Sequence, residues 1–282
     1  MPELPEVETV ARGLDRNIAG DTIESVWLGS KPEPLKSSPA EIAAVLEGSR
    51  IAHVRRVGKH IVFDLAGKPS RKKDAPPAPG QWIVHLGMTG QLLIASPTLE
   101  TAKHTHAILK LASGRELRFV DPRRFGRLAV VRIGSQDGSG FAAPGDEPLD
   151  AKIDRFISLF RRRKTPIKSA LLNQKLLSGV GNIYADEALF RAAVRPRRRA
   201  SSLTRSELQK LHAGLRAVLR QAIKLGGSSI NDYVDAEGRA GFFQLKHRVY
   251  GREGKPCLVC KTAIKRVIIA GRSSHYCPHC QK

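Results

Sequence analysis

The chain opens with Met1-Pro2-Glu3-Leu4-Pro5-Glu6-Val7-Glu8, two prolines and three carboxylates placed just before a helical pattern. Apolar residues recur at helical spacing as far as Ile18, and Gly20 ends the pattern. Removal of Met1 would leave Pro2 as a secondary amine, and an α-amino group titrates near pH ~8. Such an amine attacks a sugar or carbonyl carbon to give a cationic Schiff base, with Glu3 as proton donor. The alternative is purely structural: Pro2 simply follows Met1, and a second proline starts the helix.

The composition indicates a binder of polyanions. The 282 residues predict two domains, and 48 Lys and Arg against 26 Asp and Glu give a net charge of +22. Charge alone leaves open DNA, RNA, anionic lipid, a ribosomal protein or non-specific adhesion. The strongest basic runs, 161–164 and 195–199, lie at a predicted helix end and in a loop rather than on an amphipathic helix, which favours nucleic acid. Neither an apolar run of about 18 residues nor a signal-peptide core is present, so we expect no membrane contact and a cytoplasmic location.

All four cysteines lie after residue 256, as Cys257-x2-Cys260, sixteen residues, and Cys277-x2-Cys280. This spacing is typical of a zinc ribbon, in which two knuckles supply four thiolates to one tetrahedral ion. Four thiolates leave no open position, so the predicted Zn2+ is structural. His275 and His279 flank the second knuckle, and we expect them at the surface.

The periodicity predicts an α+β chain of several domains. Seven strand-like runs separated by turn signals predict an N-terminal antiparallel β-sandwich behind the first helix. They lie at 22–28, 50–65, 81–86, 91–95, 106–111, 115–120 and 127–132, with a short helix at 41–46. Helices follow near 151–160, 166–177, 183–193 and 204–225. The predicted organisation is a β-sandwich domain (1–133), a linker (134–150), a helical domain (151–250) and a zinc-ribbon hairpin (251–282), with a polar surface loop at 67–80.

Several motifs together resemble the formamidopyrimidine-DNA glycosylase family over nearly the whole chain. They are the amino-terminal run from Pro2 to Glu8, His85-Leu-Gly-Met88, Asp121-Pro-Arg-Arg-Phe-Gly126, Gly179-Val-Gly-Asn-Ile-Tyr-Ala-Asp-Glu187 and the four cysteines. The resemblance implies a β-sandwich, a helix–two-turn–helix domain and a zinc ribbon. It also implies a monomeric glycosylase and abasic-site lyase that acts on duplex DNA containing oxidised purines or abasic sites, on the nucleoid. Pro2 would form the Schiff base, and β- and δ-elimination would follow.

The resemblance assigns roles to further residues. Lys59, by spacing alone an edge charge, would reach the phosphates and sugar of the scissile nucleotide, and Arg272 would serve the final elimination. Met88 lies on the turn Gly87-Met-Thr-Gly90, where an apolar side chain suits a wedge entering the base stack better than a core position. Phe125, which would otherwise be expected in a core, and Arg123 match the other two probes of the stack. The expected phosphate contacts are His104, Arg123, Lys164, Lys168 and Asn182, and the loop 226–244 would close over the extruded base.

Three competing functions remain open. Endonuclease VIII shares the fold but acts on oxidised pyrimidines; Leu4 after Pro-Glu, the Met88 wedge and the long 226–244 loop favour the purine enzyme. A non-catalytic damage-binding protein would lack Pro2 or Glu3, and both are present. A zinc-ribbon RNA-binding or ribosomal protein would explain the charge and the cysteines but not the amino-terminal run. The sequence specifies neither the preferred lesion nor the opposite base.

Overall fold

The computed structural model describes residues 1–67, 79–133, 140–230 and 233–282. Two compact units are present: Met1–Ala142 with Gly226–Gly241, and Ala143–Leu225 with Phe242–Lys282. Most of the predicted 67–80 loop, residues 134–139 of the predicted linker and residues 231–232 of the predicted base-covering loop lie outside the described residues. Within the described ranges, no helix combines the length and apolar character needed to cross a membrane.

The first unit contains two four-stranded antiparallel sheets, with strand orders β1-β6-β7-β5 and β2-β3-β4-β8. Apolar side chains from both sheets and from the first helix form one buried cluster, and Phe63, Trp82 and Phe119 are among its largest buried side chains. The predicted sandwich is therefore confirmed. The elements are α1 (Leu4–Ile18), β1 (Ile23–Leu28), α2 (Pro39–Leu46), β2 (Ile51–Val57), β3 (His60–Leu65), β4 (Gly80–His85), β5 (Gln91–Ala95), β6 (Thr105–Leu111), β7 (Glu116–Val120) and β8 (Arg127–Arg132).

The predicted strand 50–65 is in fact a hairpin. Val57 pairs with His60 across the two-residue turn Gly58-Lys59, and Gly58 has a φ of +60°, a conformation that glycine adopts without steric cost. The apolar run on both sides hides this break, because two adjacent buried strands read as one continuous pattern. The correction moves Lys59 from a strand edge to the tip of a turn.

The second unit is helical and ends in a two-stranded hairpin. It contains α3 (Ile153–Phe160), α4 (Ile167–Leu172), α5 (Asn182–Arg191), α6 (Arg205–Lys224), β9 (Lys265–Ile269) and β10 (Arg272–Tyr276). Helix α4 stops five residues before the predicted end at 177, because the Asn173 side chain accepts the backbone N–H of Lys175 and diverts the chain into turns. The β9–β10 turn, Ala270-Gly271, has both φ values positive (47° and 74°), as a type I′ turn requires.

The segment 226–241 packs within the first unit, although the sequence grouped it with the helical domain. Ala236 is fully buried in the sandwich core, Tyr233 packs against that core, and the Ile94 N–H donates to the Ala236 carbonyl at 3.0 Å. The glycines and polar residues around these two apolar side chains are typical of a mobile loop. Two anchoring residues in sixteen positions are too few to produce a periodic pattern.

Candidate active site and DNA-binding residues

The amino-terminal segment is held by the first turn of α1. The Glu3 N–H donates to the Glu6 carboxylate at 2.9 Å, and the Glu3 carboxylate caps the Glu6 N–H, a reciprocal capping box. Pro2 and Glu3 are buried, whereas Met1 is about half exposed (48%). The candidate nucleophile therefore sits on a fixed helix start, next to an accessible residue that can be removed.

Glu6 also links this helix start to the segment 226–241. Its second carboxylate oxygen accepts the Ser228 N–H at 2.8 Å, and its carbonyl accepts the Tyr233 hydroxyl at 3.2 Å. Burial, with the Glu6 charge nearby, raises the pKa of Tyr233, so the phenol keeps the proton that it donates. Gly227 has a φ of +82°, and a Cβ there would lie 2.9 Å from the Glu6 carboxylate, so the approach needs glycine.

The Lys59 turn lies at the same end of the sandwich as the helix start. Arg56, next to the turn, bonds the Glu8 carboxylate of α1 at 2.7 Å and the Gly58 carbonyl at 3.0 Å. Lys59 is only 9% exposed, so its side chain runs along the protein rather than into solvent. The turn that carries Lys59 is thus held by both the hairpin and the helix.

Two histidines adjoin this turn and are neutral at pH 7. His60 and His85 pair across β3 and β4, with ring centroids 4.9 Å apart. Burial, then the charges of His60, Arg127 and Lys59, lower the pKa of His85 to about 4. Burial also lowers the pKa of His60. Neutral imidazoles beside Lys59 avoid adding positive charge to a site that already carries several cations.

The two turns that carry the candidate probes lie side by side at this same end. The turn 86–90 leads from β4 to β5, and the turn 121–126 leads from β7 to β8; β4 pairs with β8, and β5 with β7. Gly87 lies so close to the second turn that a Cβ would be 2.5 Å from the Phe125 carbonyl carbon. Met88 is 42% exposed and Phe125 53% exposed, so neither is a core residue. The Arg123 guanidinium carbon lies 4.8 Å from the Phe125 ring centroid.

Asp121 shapes the second probe turn. Its fully buried carboxylate accepts the N–H groups of Gly126 at 2.7 Å and Arg123 at 3.2 Å. Between them, Arg124 has a φ of 57°, a left-handed conformation that helps turn the two probe side chains outward. His104 is exposed, and its carbonyl accepts the Asp121 N–H at 2.9 Å, which places it beside the probe turn.

In the second unit, Asn182 begins α5 after the turn 173–181. Gln174 supports that turn: its amide donates to the Leu172 and Val180 carbonyls, and its oxygen accepts the Gly179 N–H at 3.0 Å. The Asn182 side-chain amide donates to Ser273 Oγ at 3.3 Å. The helix start offers backbone N–H groups and a positive dipole end, which suit a phosphate.

The predicted phosphate contacts differ in exposure. Lys164 is exposed between α3 and α4, and Arg272 is exposed at the first position of β10. Lys168 is fully buried, with its ammonium 2.7 Å from Asp186 Oδ1 and donating to the Ser273 carbonyl at 2.6 Å. This placement disagrees with a Lys168 phosphate contact, because a buried, ion-paired ammonium does not reach a ligand at the surface. His275 is also buried rather than at the surface as expected, since it packs against Asp186.

The four cysteines converge as the spacing predicts. All four Sγ atoms lie within 4.8 Å of one another, with Cys257–Cys280 at 3.9 Å and Cys260–Cys277 at 3.4 Å. Tetrahedral thiolates with bonds of about 2.3 Å would be about 3.8 Å apart, so the set fits one zinc ion. Backbone N–H groups of Val259 and Cys280 point at sulfur, as is usual for zinc knuckles. The four cysteines are therefore a structural zinc site with no position left for substrate.

Comparison with known proteins decides the family. Residues 1–128 match the formamidopyrimidine-DNA glycosylase N-terminal domain, residues 144–234 match its H2TH domain, and residues 254–282 match a zinc finger found in FPG and IleRS. A formamidopyrimidine-DNA glycosylase of Solibacter usitatus is 46% identical over 282 residues and 100% of both chains. The chain belongs to the formamidopyrimidine-DNA glycosylase family.

Solved structures of the family have the same fold. The MutM (Fpg) protein of Thermus thermophilus aligns with a TM-score of 0.82 and 42% identity, over 99% of this chain and 98% of its own. A Lactococcus lactis Fpg in complex with DNA that contains an abasic site aligns with a TM-score of 0.86 and 32% identity, over 99% of both chains. The same Lactococcus protein was also solved with DNA containing an oxidised pyrimidine, at a TM-score of 0.84 and 32% identity over the full length of both chains.

Sequence reasoning missed the residues that hold the site together. Glu6 could have been found, because Glu3-x-x-Glu6 before an apolar run has the spacing of a capping box. Asp121 and Asp186 stand inside motifs typical of the formamidopyrimidine-DNA glycosylase family, but Thr89, Lys168 and His275, which they join to those motifs, lie 18 to 89 residues away in the sequence. No local signal connects an aspartate to a distant turn.

Proposed function

We propose that this DNA glycosylase of base excision repair excises oxidised purines, both formamidopyrimidines and 8-oxoguanine, and then cleaves the strand at the abasic site. One observation carries the proposal: the Pro2–Glu3 segment, the Lys59 turn and the two turns with the exposed Met88 and Phe125 lie at one end of a single β-sandwich. Nucleophile, phosphate-reaching cation and base-stack probes are the parts that base extrusion and sugar chemistry require. Duplex DNA is the partner, and we propose the nucleoid, in the cytoplasm, as the place where the protein acts.

The chemistry begins at the amino terminus. After Met1 is removed, the unprotonated Pro2 nitrogen attacks C1′ of the damaged nucleotide, and the C1′–base bond breaks with its electrons going to the base. Glu3 donates a proton to the leaving base or to the ring oxygen, and the proton that the attacking Pro2 nitrogen loses goes to the other as the sugar opens, which leaves an iminium between Pro2 and C1′. The positive charge then acidifies C2′–H.

Two eliminations cleave the strand. Loss of the C2′ proton expels the 3′ phosphate, and a second elimination expels the 5′ phosphate, leaving a one-nucleotide gap that ends in phosphates. Lys59 holds the phosphates and sugar of the scissile nucleotide, and Arg272 serves the second elimination. His104, Arg123, Lys164 and the Asn182 helix start position the backbone, whereas Lys168 has a different role, argued below.

The probe turns act when the base leaves the stack. Met88 enters the space that the extruded base vacates, Phe125 stacks and kinks the duplex, and Arg123 bonds the orphaned partner base. The half-exposed Met88 and Phe125 support this role, because exposing an apolar side chain to water is unfavourable and such exposure is typical of a binding surface. The segment 226–241, which packs on Glu6, covers the extruded base together with the residues up to 244.

A single-turnover excision assay tests the proposal. The substrates are matched duplexes containing 8-oxoguanine, a formamidopyrimidine, oxidised thymine or no lesion. We expect release of both oxidised purines, with strand cleavage, to be at least about 10-fold faster than release of oxidised thymine. Faster release of oxidised thymine would establish the second candidate, an enzyme for oxidised pyrimidines. The complex of the Lactococcus relative with DNA containing an oxidised pyrimidine is the observation that favours this candidate. Binding without release of any base would leave a damage-binding protein.

A further inference from the structure

The second unit contains a fully buried ion pair. Lys168 of α4 and Asp186 of α5 are both 0% exposed at their side chains, and Lys168 Nζ lies 2.7 Å from Asp186 Oδ1. Removing two charges from water is costly, so a buried pair adds little to stability compared with apolar residues of the same size. A role in fixing the geometry of the elements that the pair connects explains its presence better than a gain in stability.

Both partners of the pair also bond the backbone of β10. Lys168 Nζ donates to the Ser273 carbonyl at 2.6 Å, and Asp186 Oδ2 accepts the His275 N–H at 2.8 Å. Residues 273 and 275 are two apart, so these groups point to the same edge of the strand. Because Arg272 faces Ile269 across the two-residue turn, this edge is the one turned away from β9. The ion pair therefore satisfies the backbone groups that a third strand would otherwise bond.

Arg272 lies directly before Ser273, the first residue of the strand edge that the ion pair bonds. On its amino-terminal side, Arg272 follows the Ala270-Gly271 turn, in which the non-glycine Ala270 has a φ of 47°. The Asn182 amide adds a contact to Ser273 Oγ at 3.3 Å. The backbone of the exposed Arg272 is thus fixed from both directions, while its side chain is left outside the network.

We propose that Lys168 and Asp186 are positioning residues for Arg272: the buried pair sets the height and direction of the β9–β10 turn relative to α4 and α5. This inference rests on the proposed role of Arg272 in the second elimination. It also gives Lys168 a function that its burial permits. The pair touches neither phosphate nor sugar, so its effect on catalysis is transmitted entirely through the hairpin.

The test uses charge-neutral variants of nearly the same size. Asp186→Asn keeps an oxygen to accept the His275 N–H but leaves the Lys168 charge uncompensated, and Lys168→Met does the reverse. The double variant Lys168→Met/Asp186→Asn removes both charges. Asp154→Asn, which breaks the exposed Arg205–Asp154 pair (2.6 Å) of the same unit, is the matched control.

Hydrogen exchange of the zinc-bound protein is measured first, because it does not depend on activity. We expect both single variants to speed amide exchange in residues 270–276, with the double variant closer to wild type and Asp154→Asn unchanged. Unchanged exchange in the single variants overturns the inference. So does loss of zinc or of helical circular dichroism in all three variants, since the pair would then be needed for folding rather than for placing one turn.

Cleavage of a pre-formed abasic site then separates positioning from general damage. We expect Asp186→Asn to slow the second elimination by about 100-fold, with base excision reduced much less, since a displacement of about 1 Å has effects of that size. In an Arg272→Ala background, Asp186→Asn should have no further effect. Equal losses in both backgrounds would overturn the inference. If Arg272→Ala leaves the second elimination intact while hydrogen exchange responds as expected, the proposed role of Arg272 fails, and positioning of the turn stands.

Discussion

The Thr89 hydroxyl donates to Asp121 Oδ1 at 2.6 Å and so joins the two probe turns through a carboxylate that is fully buried. The same carboxylate accepts the N–H groups of Arg123 and Gly126. The conformation of the Met88 turn is therefore coupled to that of the turn presenting Phe125. The two turns whose side chains are proposed to enter one base stack are thus held by one buried carboxylate.

Thr89→Val should weaken this coupling while keeping the shape of the side chain. Loss of a hydrogen bond to a buried carboxylate costs about 1.5–3 kcal/mol. We expect excision of 8-oxoguanine from duplex to fall at least about 10-fold and cleavage at a pre-formed abasic site to fall much less, because no base needs extruding there. Met88→Ala should give the same pattern. The control Thr98→Val removes the exposed Thr98–Ser96 contact and should leave both rates unchanged. If Met88→Ala slowed excision of 8-oxoguanine and cleavage of the abasic site by the same factor, a wedge role for Met88 would be contradicted.

The Pro2 nitrogen should be the atom that borohydride traps on lesion-containing duplex. A tag that remains before Pro2 converts the secondary amine into an amide, which has no basic lone pair, so adduct formation should be abolished. Binding to the same duplex, measured without borohydride, should change little. The control is the same tagged protein after proteolysis that leaves Pro2 as the first residue, which should recover trapping. An adduct formed by the uncleaved protein would mean that another amine is the nucleophile.

Salt dependence should distinguish Lys164 from Lys168. If about six phosphates are neutralised, log K falls with log salt at a slope near −5. Lys164→Ala removes an exposed charge and should flatten the slope by about one unit, equally for damaged and undamaged duplex. Lys168→Met, which removes a buried and ion-paired charge, should leave the slope unchanged. A slope flattened by Lys168→Met would mean that the pair opens on DNA and that the lysine reaches a phosphate after all.

Zinc removal should unfold part of the protein. Cys260→Ser removes one of four thiolates, and in zinc ribbons the free energy of metal binding is also free energy of folding. We expect loss of zinc and of protected amides in 251–282, and weaker binding to DNA. The two tryptophans, Trp27 and Trp82, both lie in the first unit, so their fluorescence should stay native. An intact hairpin in the metal-free variant, judged from its amide spectrum, would contradict this.

The sequence predicted what local pattern can encode and missed what depends on contacts across the chain. The α1 helix, the sandwich strands and the zinc knuckles follow from spacing alone. The break at Gly58-Lys59 and the early end of α4 at Leu172 did not, since each depends on one residue inside a continuous pattern. The burial of Lys168 could not be foreseen either, because its partners Asp186 and Ser273 lie 18 and 105 residues away along the chain. For a lysine in a basic protein, solvent exposure is the default expectation.

His85 should make the first unit less stable in acid. Its pKa is about 4 in the folded protein, lowered mainly by burial, against about 6.5 in an unfolded chain. Between these values the unfolded chain binds the extra proton, so the free energy of unfolding should fall as pH drops from about 6.5 to about 4, by up to about 3 kcal/mol from this group. Urea unfolding followed by tryptophan fluorescence at several pH values measures it. His85→Gln has no imidazole to titrate and should flatten the dependence of the free energy of unfolding on pH.

The control is His247→Gln in the second unit, where burial also lowers the pKa of His247 to about 4. This variant should not alter the pH dependence detected by tryptophan fluorescence. Parallel curves for wild type and His85→Gln would show that His85 is not kept neutral by its surroundings.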